Sequence, residues 1–381
     1  MVLANGCGKK GGGEGAQKPL ELTPEKAADL LGAREVQPEI AVLPGADLVV
    51  DVDIAGLVQA PMYATLAGMA DQTGVPGQPA QAQELSELMD KIEQATGLSA
   101  QDMERLVLSV SLEGVDFAGE QVDMDNVGLM AALSLSKTLN FDTLKSGMET
   151  LAAEGTDPMK IDVTEYRGAR MLGISDSDET GAEGDSSQPV YVTVVGQDRL
   201  VLSGNEASME ATIDRILDGE SAEMPPTLKS LRDGVDPAHV RLAFSLPPSM
   251  RQKLNETADQ QAGTMNGQML NTFRTLESLS WFALLSDALD LELRMGMGSD
   301  QAAQTASAQL NSVVVGMAKM TLGIMAAGKP FPMLESLKAA TAPGGMATMR
   351  VQLTEQDFTV LKGIAEQQAT GGGMMPGAMP Q

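Results

Sequence analysis

Apolar and polar residues alternate along several short stretches of the chain. Leu48, Val50, Val52 and Ile54 are separated by Val49, Asp51 and Asp53. Val240, Leu242, Phe244 and Leu246 repeat the pattern, and Leu289, Leu291, Leu293, Met295 and Met297 alternate with Asp290, Glu292 and Arg294. A period of two predicts half-buried strands. On this reading Val50, Val52, Leu242 and Phe244 belong to cores, and Asp51, Asp53, Arg241 and Ser245 face outward. Further strands are expected at Leu108–Leu112, Leu129–Leu135, Met159–Val163, Trp281–Leu285 and Met349–Leu353. Val190–Val194 and Leu200–Leu202 should pair across Gly196-Gln197-Asp198 as a hairpin.

Between these stretches the spacing changes to three and four. Helices are predicted over 56–71, over the stripe Leu85, Leu88, Met89 and Ile92, and after the caps Asn140, Asn205 and Ser299. Ser99 with Asp102, and Thr354 with Asp357, have capping-box spacing. The helix after Ser299 is rich in Ala and Met and runs to about Ala327.

The order strand, helices, strand, strand, helix, strand occurs twice. The expected fold class is therefore α+β: two related modules, each an antiparallel sheet with helices on one face. The expected division is a flexible tether over 1–37, a first module over 38–222, a second over 223–370, and a Gly/Met/Pro tail over 371–381.

The chain has 381 residues, a length that fits two or three domains. Aromatic residues make up only 3% and Met numbers 26, so the cores must be built from Leu, Val, Ala and Met. The net charge of −26 and the lack of a Lys/Arg patch argue against nucleic acid as a partner. The most apolar stretch, 313–328, contains Lys319 and is too short to span a bilayer, so a buried helix is expected.

One cysteine and one histidine remove most catalytic arrangements. His239 has no nucleophile motif to serve and reads as a solvated surface residue. Clustered His or Cys for zinc or iron is absent, and no cofactor is expected. Asp176, Asp178 and Glu179, with Glu183 and Asp185, crowd one loop and are the calcium candidates. They lack EF-hand order, so a solvated acidic loop is expected. Asp51 and Asp53 lie roughly 7 Å apart by strand rise, a spacing open to acid–base work on glycosides. No aromatic sugar platform accompanies them, and a charged solvent face is expected. Met374, Met375 and Met379 are soft ligands without supporting His or Cys.

Cys7 precedes a polar, Gly-rich segment, Gly8-Lys9-Lys10-Gly11-Gly12-Gly13. Leu3-Ala4-Asn5-Gly6-Cys7 resembles the lipid-attachment site of bacterial lipoproteins, with Gly6 as the small residue and Leu3 one place early. The body resembles uncharacterised bacterial envelope proteins with a duplicated α+β module. The resemblance implies a lipid on Cys7 and a place in the cell envelope, at the outer membrane or exterior leaflet because Gly8 is not an inner-membrane retention signal. A secreted or periplasmic soluble protein is the alternative. The function expected is a non-enzymatic binding or structural module with an unidentified protein partner. The alternatives are a carrier of an apolar ligand in a cavity lined by the 302–327 helix, and a carboxylate-based hydrolase.

Overall fold

The computed structural model describes residues 31, 38–43, 45–70, 93–94, 96–112, 115, 127–154, 159–176, 189–220, 224–234, 237–326 and 330–370. The protein is of mixed α+β class, built on one large antiparallel sheet.

The strands are β1 (Leu48–Asp53), β2 (Met103–Ser111), β3 (Gly128–Leu135), β4 (Met159–Tyr166), β5 (Ala169–Asp176), β6 (Val190–Val195), β7 (Arg199–Ser203), β8 (Val240–Ser245), β9 (Leu276–Leu285), β10 (Leu289–Met297), β11 (Lys338–Ala342) and β12 (Met346–Leu353). All twelve join one sheet in the order β11-β12-β10-β9-β8-β1-β2-β3-β7-β6-β5-β4. The two halves of the chain meet where β1 pairs antiparallel with β8, placing Val50 opposite Leu242. The expected separate sheets are thus a single one. β9 starts earlier than expected, at Leu276 rather than Trp281.

Helices α1 (Ile54–Gln59) and α2 (Tyr63–Ala70) follow β1, and α3 (Phe141–Glu154) follows β3. α4 (Glu206–Asp218) and α5 (Pro226–Arg232) precede β8. α6 (Pro248–Gln260) and α7 (Met265–Thr272) follow it. α8 (Asp300–Gln309), a π-helical turn (Leu310–Val315) and α9 (Gly316–Met325) form one continuous rod. α10 (Met333–Ser336) and α11 (Glu355–Thr370) are the last helices among the described residues.

The caps behave as their side chains dictate. Asn140, Asn205 and Ser299 accept from the backbone N–H of Thr143, Ser208 and Ala302. Thr354 and Asp357 close a reciprocal capping box, and Asp102 accepts from the Ser99 N–H at 2.8 Å. Gly219 ends α4 in the left-handed conformation, where a Cβ would be strained. The β4–β5 turn places Arg167 at φ 48° before Gly168 at φ 84°.

Helices cover both faces of the sheet, not one. Met209, Ile213, Ile216 and Leu217 of α4, with Leu228 and Leu231 of α5, pack with Val49, Val107, Met130, Ala132, Val201 and Ala243. Phe141 and Leu144 of α3 pack on Leu172, Val192, Leu200 and Leu202, whose side chains point the other way. Ala303, Ala306 and Leu310 join that second face at the far end, against Leu293, Met295, Ala339 and Ala347.

This arrangement inverts the expected faces of β1 and β8. Val49 and Asp51 are each 1% exposed and Ala243 is fully buried, whereas Val50, Val52, Leu242 and Phe244 are only half-buried. Arg241, Ser245 and Asp53 are half-buried too, rather than outward. The cause is the layer formed by α4, α5 and the 3₁₀ turn Pro38–Ala41. It supplies Ile40, Val42 and Leu43 to the face that carries Asp51 and removes that face from water.

Candidate functional site

The strand register lines up one residue from every strand on a single face. Directly opposite partners run Ala339, Met349, Leu293, Trp281, Leu242, Val50, Leu108, Ala131, Leu202, Val192, Leu172 and Val163. All twelve are apolar. Opposed residues in antiparallel strands share a face, so this is one continuous strip.

A second apolar row lies to one side of it: Val351, Leu291, Ala283, Val240, Val52, Leu106, Leu133, Leu200 and Val194. A third lies to the other side: Ala347, Met295, Leu279, Phe244, Leu48, Val110 and Leu129.

Toward its ends this face is covered, by α3 over β7, β6 and β5 and by α8 over β10, β12 and β11, while Val163 on the outermost β4 is 45% exposed. The middle differs. Val50, Val52, Leu106, Leu108, Leu242 and Trp281, on β1, β2, β8 and β9, are half-buried and belong to none of the buried clusters formed by the described residues. Each such side chain left partly in water forfeits about 25 cal/mol per Å² of apolar surface. The band between the two flanking helices is suited to holding apolar matter by burial. Among the described residues, the three rows that form it are entirely apolar.

The opposite face carries the apolar core under α4 and α5, and it adds buried ion pairs to it. Arg105 of β2 donates from Nε to Asp51 Oδ1 at 2.9 Å and from Nη2 to Asp51 Oδ2 at 2.8 Å. Glu39 lies 3.4 Å from the same guanidinium and 3.0 Å from Arg232. The hydrogen bond to Asp51 raises the pKa of Arg105 despite its partial burial. Farther along this face, Glu292 pairs with Arg294 at 2.7 Å and with Arg350 at 2.9 Å.

The residues singled out for chemistry are not brought together. Asp51 is committed to Arg105, and Asp53 accepts from the Gly56 N–H at 2.9 Å as the cap of α1. The two carboxylates therefore have separate structural duties. His239 is half-buried rather than solvated, and its Nδ1 accepts from the Leu285 N–H at 3.3 Å. Asp176 is the last residue of β5, opposite Met159. Asp178, Glu179, Glu183, Asp185, Cys7, Met374, Met375, Met379 and the stripe Leu85–Ile92 lie outside the described residues. Among the described residues, no group of three His, Cys, Asp or Glu is placed to hold a metal ion.

The rod of α8 and α9 has two unlike sides. Ala303 and Ala306 are buried against the sheet, while Met317 and Met320 point into solvent. A separate open cleft of about 470 Å³ lies between α6 and the start of β9, with Arg251, Glu256, Asp259 and Arg274 on its walls. Its charges are of both signs, and Arg274 is already paired with Asp259.

The apolar strip was not recognised in the sequence, although its signal was there. Every alternating stretch carries apolar residues at one parity, and pairing β1 with β8 sets the two halves in step. No family model, no characterised protein and no solved structure matches the chain.

Proposed function

We propose that this protein is a non-enzymatic binding module of the cell envelope that shelters an apolar ligand against the middle of its sheet. The observation that carries the proposal is the unbroken apolar strip, flanked by α3 and α8 and half-buried over β9, β8, β1 and β2. A site of this kind binds by area, so a long hydrocarbon chain suits it better than a compact polar metabolite.

The anchor belongs to the same proposal. A lipid on Cys7, followed by a Gly-rich tether, would hold the module at the membrane surface from which apolar ligands are drawn. The affinity of such anchoring comes from buried methylene groups.

The two halves are also proposed to be copies of one module. Reading outward from the centre, β1-β2-β3-β7-β6 and β8-β9-β10-β12-β11 follow the same succession, with β5 and β4 as an additional hairpin. Helices stand at corresponding places: α1 and α2 against α6 and α7, and α3 against α8. Duplication accounts for an apolar strip that continues from one half into the other.

Trp281 is the single tryptophan of the chain and lies in the strip. Titration with a long-chain fatty acid should shift its emission to the blue and saturate. Leu242→Ser and Leu108→Ser should weaken the response while the unfolding transition stays cooperative. A flat titration, or unaltered binding in both variants, would overturn the proposal.

A further inference from the structure

The rod formed by α8, the π turn and α9 is fastened on one side and bare on the other. Leu310 and Val315 are buried, and Leu322 packs with Phe331 and Val360. On the outer side Val314, Met317, Met320 and Ile324 are 37%, 55%, 63% and 73% exposed. Their spacing of three, three and four sets them in one stripe along the rod. They make up half of the large hydrophobic side chains left exposed among the described residues.

The charge around the stripe is equally unusual. Gln301–Leu334 contains no Asp or Glu in a chain that has 52 of them among 381 residues. The only charges there are Lys319 and Lys329, and Lys319 is exposed between Met317 and Met320.

We infer that this stripe is a membrane-docking surface, seated on a bilayer that contains anionic lipid. An apolar stripe bearing a cation suits the interface between acyl chains and headgroups: Met317, Met320 and Ile324 enter the hydrocarbon boundary, and Lys319 meets the phosphates. The net charge of −26 does not prevent this, because about 8 Å of physiological saline screens the distant acidic surfaces. A second copy would bring another Lys319 and no acidic residue within 301–334 to meet it, so charge complementarity does not favour self-pairing. The inference requires neither a lipid on Cys7 nor an occupied apolar strip.

The test uses the full chain carrying Cys7→Ser, so that no lipid anchor contributes. Vesicles of phosphatidylcholine with phosphatidylglycerol should sediment the protein. Met320→Asp with Ile324→Asp should lower the bound fraction about tenfold or more without moving the unfolding midpoint. The milder Met320→Ser with Ile324→Ser should give an intermediate loss, and Lys319→Glu should weaken binding to anionic vesicles more than to neutral ones. Absence of binding by the Cys7→Ser chain would overturn the inference, as would equal binding by the double variants. A stripe-dependent dimer, seen by sedimentation without lipid, would overturn it in favour of self-association.

Discussion

Asp51 and Arg105 form a two-pronged ion pair across β1 and β2, with both carboxylate oxygens engaged and Asp51 1% exposed. A carboxylate so buried is tolerable only with its partner. Arg105→Ala should therefore destabilise the fold by about 3 kcal/mol, and replacing both, Asp51→Leu with Arg105→Met, should restore most of the loss. Urea unfolding of the two variants measures this. Equal destabilisation by both would mean that packing, not the charge pair, sets the cost.

Asn311 serves the edge of the sheet. Its amide donates to the Ala339 carbonyl at 2.7 Å and accepts from the Ala339 N–H at 2.9 Å. Ala339 lies on β11, the outermost strand at that end, and the amide stands in for a missing neighbour. The π turn at Leu310–Val315 contains Asn311 at this contact. Asn311→Leu should cost about 1 kcal/mol and promote self-association through the opened edge. Hydrogen exchange at the Ala339 amide, with light scattering, reads both effects.

Glu210 offers a pH prediction. Burial, then repulsion from Glu206 and Asp214, raises its carboxyl above the usual carboxylate range. A carboxyl whose pKa is higher folded than unfolded binds its proton more tightly in the fold. Its charged form therefore costs stability at neutral pH, and the cost fades as pH falls through the raised value. Glu210→Gln should raise the melting temperature at pH 7 and lose that advantage below about pH 4. Melting curves across that range would refute the assignment if the gain were constant.

Asp102 has the opposite sign. Hydrogen bonds from the Ser99 N–H and hydroxyl hold its carboxyl below the usual range. The stability it lends is complete above the unfolded pKa and disappears as pH falls through the lower folded one. Asp102→Asn should be less stable than the parent at pH 7 and should converge with it in acid. Acid unfolding curves compare the two directly.

Cys7 carries the envelope reading. In the native host the protein's N-terminal peptide should bear a lipid on Cys7, detectable by mass spectrometry, and Cys7→Ser should move the chain toward the soluble fraction. An unmodified Cys7 would remove the anchor from the proposal and leave the apolar strip to be judged by the Trp281 titration.

Much of the local structure was legible residue by residue. The alternation at Leu48–Ile54 and Leu289–Met297, the caps at Asn140, Asn205 and Ser299, and the turns at Gly168 and Gly196 depend on neighbours within a few positions. Backbone sterics and nearby hydrogen-bond donors determine such features before any tertiary contact exists.

What lay beyond the sequence was where each face and each charge would go. A period of two says that Val49 and Val50 point in opposite directions, but not which of them meets a helix. That was decided by the distant layer of α4, α5 and the Pro38–Ala41 turn, which buried Val49 with Asp51 and left Val50 in the half-covered strip. Asp51 looked like a solvent-facing carboxylate because its partner Arg105 is 54 positions away. The apolar strip exists only because β1 pairs with β8, bringing Val50 beside Leu242 from the other half of the chain. Pairing of strands so far apart is set by the collective burial of the whole sheet, and no local window of sequence contains it.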